Sequence, residues 1–424
     1  MGGPLLVRRT TQQSASLTTW YPVPVLCALW SILWLMHVPS GLHADDHILL
    51  EGLSPVFTGI KHAWTAEVLG SGVDYFYRPA TFSVLAIAGW LDSPLALHCV
   101  SALLHLVVCL LVYQITDVLF ADKSRAVLAM CIMMFHQAVV MPVFWVSAMG
   151  DLLMTCFGLL AYLEFVRHRP VHMAAWLSLS LFSKETAVTI PAILLLSTLL
   201  RGDLRLKNSL ILLSAILTGC FLVMRYMMLH TVLAGDANNL YFDMSIKIVP
   251  RVLRYFLEIA SPLPLSSIPL KNVPIVALPA LACWGIAFHA AFKRDRSIRI
   301  GLSAAMIVLP LVPVFAVFGK WYLYSPTALL AIVVAHAPFS RLACLWVSTI
   351  ICGGYAAIHF YSMCFAESEK IQQRLLTASQ SIEEPVSSAQ WPALVCKDVP
   401  VFTWHRQKEA AFKRQFGVSK RFKD

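Results

Sequence analysis

The chain reads as an all-α polytopic membrane protein, a bundle of about eleven transmembrane helices with amphipathic helices in its first outer loop. Three observations lead there. Of 424 residues 58% are hydrophobic and only 13% charged, roughly half the charged share of an ordinary soluble domain. Apolar runs of spanning or near-spanning length recur along residues 1–361. Lys and Arg collect in alternate short loops, the signature of an inserted chain with a fixed orientation. Eleven spans of about 20 residues would use roughly 220 residues and leave about 200 for loops and tails. A soluble globular enzyme and a disordered chain are excluded, and a single-span anchor is disfavoured. The composition alone does not separate a transporter from an enzyme that works at the membrane surface.

Taken in order, Arg8 and Arg9 precede the first apolar run, residues 23–38. The pattern resembles the charged and apolar regions of a signal peptide, but Pro39-Ser40-Gly41 is not a small-x-small cleavage signature, so a retained span is expected. Further runs lie near 95–119, 126–143, 147–166, 171–183, 186–200, 208–229, 273–292, 299–319, 324–338 and 341–361. The runs at 171–183 and 186–200 are short for a crossing and could form a re-entrant pair.

With the N-terminus inside, the basic residues of the short loops fall inside: Lys123/Arg125, Arg167/Arg169, Arg201/Arg205/Lys207, Lys293/Arg294/Arg296/Arg299 and Arg341. The outer loops, the tail apart, hold only eight basic residues spread over more chain, against fourteen inside. The outer face then receives residues 41–94 as a first loop, residues 230–272 as a second, and the tail 362–424. This tail is the one stretch of soluble composition, an appendage or small domain. The expected setting is a multi-pass protein, in a bacterial inner membrane, with its site and C-terminus extracytoplasmic. The net charge of +10 is first a topology signal; nucleic acid is not an expected partner, whereas membrane lipid is. All cysteines but Cys364 and Cys396 fall inside apolar runs, where thiols pack as small apolar groups. Those two either pair, if the tail faces an oxidising space, or remain free thiols.

Chemistry concentrates in the first outer loop. Gly41-Leu42-His43-Ala44-Asp45-Asp46-His47 sets two carboxylates between two imidazoles just past the first span. Adjacent carboxylates repel, so one holds its proton more tightly, a usual route to a general base. The competing explanation is a helix N-cap, where orphan amides favour Asp. No cofactor is demanded, but His43 and His47 with Asp45 and Asp46 have the oxygen and nitrogen donors of a divalent-metal site. A loop of roughly 50 residues is longer than a connector needs, and 47–69 and 79–91 look like helices lying on the membrane. Tyr75-Phe76-Tyr77-Arg78-Pro79 suits the headgroup belt, and Arg78 could fork onto a lipid phosphate. His98 and His105 share one helical face, more simply explained by interhelical hydrogen bonds than by metal. Asp151 is a substrate hydrogen-bonding candidate or a helix cap; Lys184 beside Glu185 could be a structural ion pair. Glu164, with Arg167 three residues on and Arg169 close by, is read as structural. Residues 246–260 form an amphipathic segment with Arg251 and Arg254 on one face, a surface helix or a lid.

The order of these elements resembles the GT-C class of polyprenyl-phosphate-sugar glycosyltransferases. It looks closest to the membrane half of the transmembrane-and-TPR O-mannosyltransferases and their bacterial relatives. The resemblance runs through Asp45-Asp46, Tyr77-Arg78-Pro79-Ala80-Thr81, His98 and His105, and His136 with Trp145. It continues through Asp151-Leu152-Leu153, Phe182-Ser183-Lys184-Glu185 with Pro191, Arg225, and Lys320-Trp321-Tyr322-Leu323-Tyr324-Ser325-Pro326. The chain departs in having Lys320-Trp321 where the family usually has Arg-Tyr, and in lacking the TPR array. The resemblance implies a GT-C-like bundle and an inverting transfer, at the outer face, of a sugar from a polyprenyl-phosphate donor to a hydroxyl acceptor on protein, lipid or glycan. In that reading Asp45 is the base and Asp46 orients it, binds the sugar or shares a cation. Arg78, Lys184, Arg225 and Lys320 would take the phosphate, and Tyr77, Glu185 and Asp151 would contact substrate. The alternatives are a transporter or flippase of a lipid-linked sugar and a polymerase or ligase of surface glycan.

Overall fold

The computed structural model describes residues 22–39, 41–42, 46, 49–50, 53–65, 76–202, 204–229, 248–261, 265, 296–314, 319–335 and 349–366. All regular structure among them is helical. Four segments are long and apolar enough to cross a bilayer: Pro94–Phe120, Val146–Val166, Asn208–Leu229 and Thr349–Ala366. Lys123–Phe135 and Gln137–Phe144 together make a fifth, bent by 55°. The expected total of about eleven is not reached by full-length helices. Pro22–Leu35 and Pro170–Ser183 have 14 residues each and Ile190–Arg201 has 12, only about 18–21 Å of helix at 1.5 Å per residue. The run at 273–292 and residues 367–424 lie outside the described residues, while 362–366, read as the start of the tail, continue the last helix.

Helix boundaries follow local chemistry. α1 is Pro22–Leu35. α2 (Val56–Thr65) and α3 (Pro79–Gly89) fall within the stretches 47–69 and 79–91 read as helical, and Pro79 occupies the N-terminal position where a missing amide costs nothing. α4 (Pro94–Phe120) starts at Ser93, whose hydroxyl accepts from the Ala96 amide, and stops at Ala121 in the left-handed region. α5 (Lys123–Phe135) is capped by Asp122, which accepts from the Ser124 and Arg125 amides at 3.0 and 3.2 Å. His136 then leaves helical geometry, and its Nδ1 caps the next helix, α6 (Gln137–Phe144), at the Ala138 amide. The bend is therefore built from a side chain that substitutes for the lost helical acceptor. A 3-10 turn, Val146–Ala148, leads into α7 (Met149–Val166). Then come α8 (Pro170–Ser183), a 3-10 turn at Glu185–Thr189, α9 (Ile190–Arg201) ended by left-handed Gly202, and α10 (Leu204–Leu229). α11 is Ile248–Ala260 and α12 is Arg296–Val308, followed by 3-10 turns at Leu309–Val314 and Lys320–Leu323. α13 is Tyr324–Val334 and α14 is Thr349–Ala366.

The core runs through α4, α5, α7, α8 and α13, with Val108, Ala126, Ala129, Ala161, Leu177, Ala328 and Ala331 wholly buried. Small residues recur at these contacts because helices in lipid associate by close packing and not by excluding water. At Gly354 of α14 a Cβ would lie 2.0 Å from the Phe135 carbonyl oxygen, so this glycine permits α14 to rest on the end of α5. Leu103, Leu110 and Val118 of α4 and Leu212, Ile216 and Val223 of α10 are exposed, forming the apolar exterior that a lipid-embedded bundle presents. Of the two core histidines, His105 is bonded between helices and His98 to the bend after α1. His98 donates to the Gly41 carbonyl at 3.1 Å. His105 donates to the Met134 carbonyl at 3.4 Å and accepts from the Tyr324 hydroxyl at 2.8 Å.

Candidate functional site

The site begins where α3, α7 and the α8–α9 turn converge. Thr81 of α3 donates to the Ser183 carbonyl at 2.7 Å, beside Gly150 of α7. This junction places Arg78 beside Glu185. The guanidinium forks onto the carboxylate, Nε to Oε2 at 2.8 Å and Nη2 to Oε1 at 2.5 Å, and stacks 4.1 Å over the Phe76 ring. Lys184 extends the other way, its backbone at φ −160°, ψ 142°, and pairs with Asp151 in the first turn of α7. Its ammonium also lies 4.4 Å over the Tyr322 ring. Lys184 is extended and Glu185 opens a 3-10 turn, and in place of the Lys184–Glu185 pair that adjacency allows there are two longer-range pairs. Arg225, wholly buried on α10, is close enough to bias Glu185 electrostatically.

Burial works against the Glu185 charge, yet Arg78, with Arg225 and Lys184, holds its pKa down at about 2. Burial also opposes the Arg78 charge, and the Glu185 carboxylate outweighs it, keeping the pKa above its ordinary value. Lys184 is different: burial lowers its pKa despite Asp151. Tyr322 is pushed up by burial and by Glu185. The cluster therefore holds fixed charge at Arg78 and Glu185 beside an ammonium that is easier to deprotonate.

Asp46 is 1% exposed. Its Oδ1 accepts from the Ser147 amide at 2.7 Å and from the Ser147 hydroxyl, in the turn that opens α7. The local N-cap is therefore not what this side chain provides: it bonds to a turn a hundred residues downstream. Asp46 and Asp151 consequently mark the same helix end, four residues apart between Ser147 and Asp151. Tyr77, a substrate candidate from the sequence, is 2% exposed and spends its hydroxyl on the Trp64 carbonyl at 3.4 Å. Glu164 pairs with Arg167 at 2.9 Å and Arg169 at 3.5 Å, remote from this end of α7. Among the described residues no group of three His, Cys, Asp or Glu could hold a metal; His43, Asp45 and His47 are not among them.

Lys320 stands in a second buried cluster. Its ammonium is 3.1 Å from Glu258 Oε1 and donates to the Tyr361 hydroxyl at 3.0 Å. Gln137 donates to the Glu258 carbonyl oxygen at 2.6 Å and to Oε2 at 3.3 Å. The Gly319 amide donates to Tyr255 at 3.0 Å, and His136 donates to the Ile259 carbonyl at 3.0 Å. The two clusters are joined by the 3-10 turn Lys320–Leu323, which carries Lys320 to one and Tyr322 to the other, and by Trp321 packed edge-on to Trp145 at 4.7 Å. Sequence reasoning missed Glu258, Gln137, Tyr255, Ser147 and Tyr361. The available signal was a carboxylate three residues after Tyr255 on the protein-facing side of an amphipathic segment; the partner could not be read.

Fold and site together define a helical protein with several bilayer-length apolar segments and two buried charge clusters gathered at one set of helix ends. Comparisons of the chain with protein-family models, with curated protein sequences and with solved structures return no match.

Proposed function

We propose that the chain is an inverting glycosyltransferase that moves a sugar from a polyprenyl-phosphate donor to a hydroxyl acceptor at the extracytoplasmic face. One observation carries the reading. Residues drawn from four separated motifs, Arg78, Asp151, Lys184-Glu185 and Tyr322, converge on the helix end that Asp46 contacts. A departing lipid phosphate needs cations, and an attacking hydroxyl needs a carboxylate. Charges at helix ends meet that need cheaply, because placing one at mid-membrane costs about 2.5–3.5 kcal/mol even on the milder scale.

In this reading Asp45 takes the acceptor proton as the acceptor oxygen bonds to the anomeric carbon. The bond from that carbon to the phosphate oxygen breaks with inversion, and the electron pair leaves on the lipid phosphate. Arg78, Lys184 and Lys320 stabilise that charge, with Arg225 behind them. Asp46, engaged by Ser147, holds the strand of chain that carries Asp45. The N-terminus is cytoplasmic and the tail extracytoplasmic; about eleven apolar segments, some of them incomplete crossings, make up residues 1–361.

The test is transfer by purified protein from polyprenyl-phosphate sugars, with product mass as readout. Asp45→Asn is expected to reduce transfer at least about 100-fold, the usual scale of a lost general base, with unchanged protein in the membrane; full activity would refute the base. The buried Asp151–Lys184 pair also suits a transporter of a lipid-linked sugar. Transport into vesicles without acceptor, insensitive to Asp45→Asn, would favour that second reading.

A further inference from the structure

α11 has an unusual distribution of side chains. Val249, Leu253 and Phe256 form an exposed apolar stripe, 60%, 57% and 41% accessible. Tyr255, Glu258 and Ile259 face the protein and are buried, Glu258 completely. The side that docks on the bundle is thus the one that carries the carboxylate. What holds it is polar: the Glu258–Lys320 ion pair, the Gln137 amide, the Gly319–Tyr255 bond and the His136–Ile259 bond. A further bond runs from the Leu265 amide to Glu258 Oε2 at 3.4 Å, and Arg254 lies 4.0 Å from Oε1.

A buried ion pair is a weak source of net stability, because desolvation cancels most of its attraction, yet removing one partner is strongly unfavourable. That asymmetry is the physics of a switch. Lys320 cannot serve an external anion and Glu258 fully at once. If an anion takes the ammonium, Glu258 keeps only the Gln137 and Leu265 donors and the Arg254 guanidinium at 4.0 Å, and its buried charge favours undocking of the helix. The exposed apolar stripe gives α11 its own hold on the bilayer surface, so undocking moves it sideways on the membrane and not into water.

We infer that α11 is a latch, closed by Glu258 on Lys320 and opened by the anionic head group of a polyprenyl phosphate that takes Lys320 in its place. This rests on the reading of Lys320 as a phosphate ligand and adds that the same residue reports occupancy to α11. By linkage, whatever loosens the latch tightens head-group binding by the same factor.

The experiment is amide hydrogen exchange over residues 248–260 in the full chain in detergent. It is titrated with a sugar-free polyprenyl monophosphate, with the uncharged polyprenol of the same length, and with inorganic phosphate. Exchange should rise about fivefold or more with the monophosphate and stay unchanged with the polyprenol. Glu258→Gln should exchange faster without ligand and bind the monophosphate about fivefold tighter; Lys320→Gln should lose the response. Slower exchange on binding, the behaviour of a lid that closes over its ligand, would overturn the latch, as would weaker binding by Glu258→Gln. An equal response to inorganic phosphate would overturn the lipid requirement. Should Glu258→Gln not fold, the wild-type titration decides alone. Opening without sugar transfer from any donor would leave the latch standing and remove the transferase reading; transfer with unchanged exchange would do the reverse.

Discussion

Arg78 and Glu185 form the most strongly fixed pair of the site, and the consequence is testable at each partner. Both are largely buried, with side chains 13% and 17% exposed. Glu185→Gln leaves the guanidinium without its counter-charge, which should cost about 3–5 kcal/mol, seen as a lower melting temperature in detergent. The pH dependence has a definite sign. Glu185 has its pKa depressed from an ordinary 4.5 to about 2. Its contribution is therefore complete above pH 4.5 and is lost as pH falls through 2. Wild-type melting temperature should drop across that window by more than that of Glu185→Gln. An equal drop in both would assign the acid sensitivity to other carboxylates.

At the scale of the element, α7 and α14 carry the sharpest constraints. Asp46 accepts from the Ser147 amide and hydroxyl in the turn that opens α7, so Asp46→Ala should leave both donors unpaired and lower stability by about 1–3 kcal/mol. Asp46→Asn, which still accepts from the Ser147 amide, should lose less; equal loss would mean that charge and not hydrogen bonding is what matters there. At Gly354 the nearest obstacle to a Cβ is the backbone of Phe135, which cannot rotate aside. Gly354→Ala should therefore shift α14 off the end of α5 and cost about 1–3 kcal/mol, measured by thermal unfolding. A neutral result would place α14 further from α5 than described.

At the scale of the whole molecule, orientation is the property on which every proposed role depends. Cys364, at the end of α14, is disulfide-bonded, while Cys27, Cys99, Cys109, Cys131, Cys156, Cys220 and Cys352 are free. Its partner lies outside the described residues. Cys364 lies buried within the last apolar span, not in the polar tail where the sequence reading sets it. Maleimide should label Cys364 in the unfolded protein only after reduction. Labelling without reduction would refute the bond.

The helices were legible in the sequence because burying backbone in an apolar medium forces hydrogen-bonded spans, and apolar runs mark them. The two helices of the first loop and the amphipathic segment near 246–260 were legible for the same reason, and so was the Glu164 pairing, which is local to one helix turn. Kinks and incomplete spans were not: the break at His136 depends on a side-chain cap, and the apolar run reads straight through it.

What the sequence by itself determined was all-helical character, the long apolar segments and the residues able to carry charge chemistry. Which charges meet was decided only by the tertiary structure. Lys184 and Glu185 are adjacent yet turn to Asp151 and Arg78, and Lys320 turns to Glu258. Asp46 reaches a helix that begins a hundred residues later. The reason is physical: periodicity is a local property fixed by backbone geometry, whereas the cost of an unpaired buried charge is settled by whatever partner packing brings within a few ångströms.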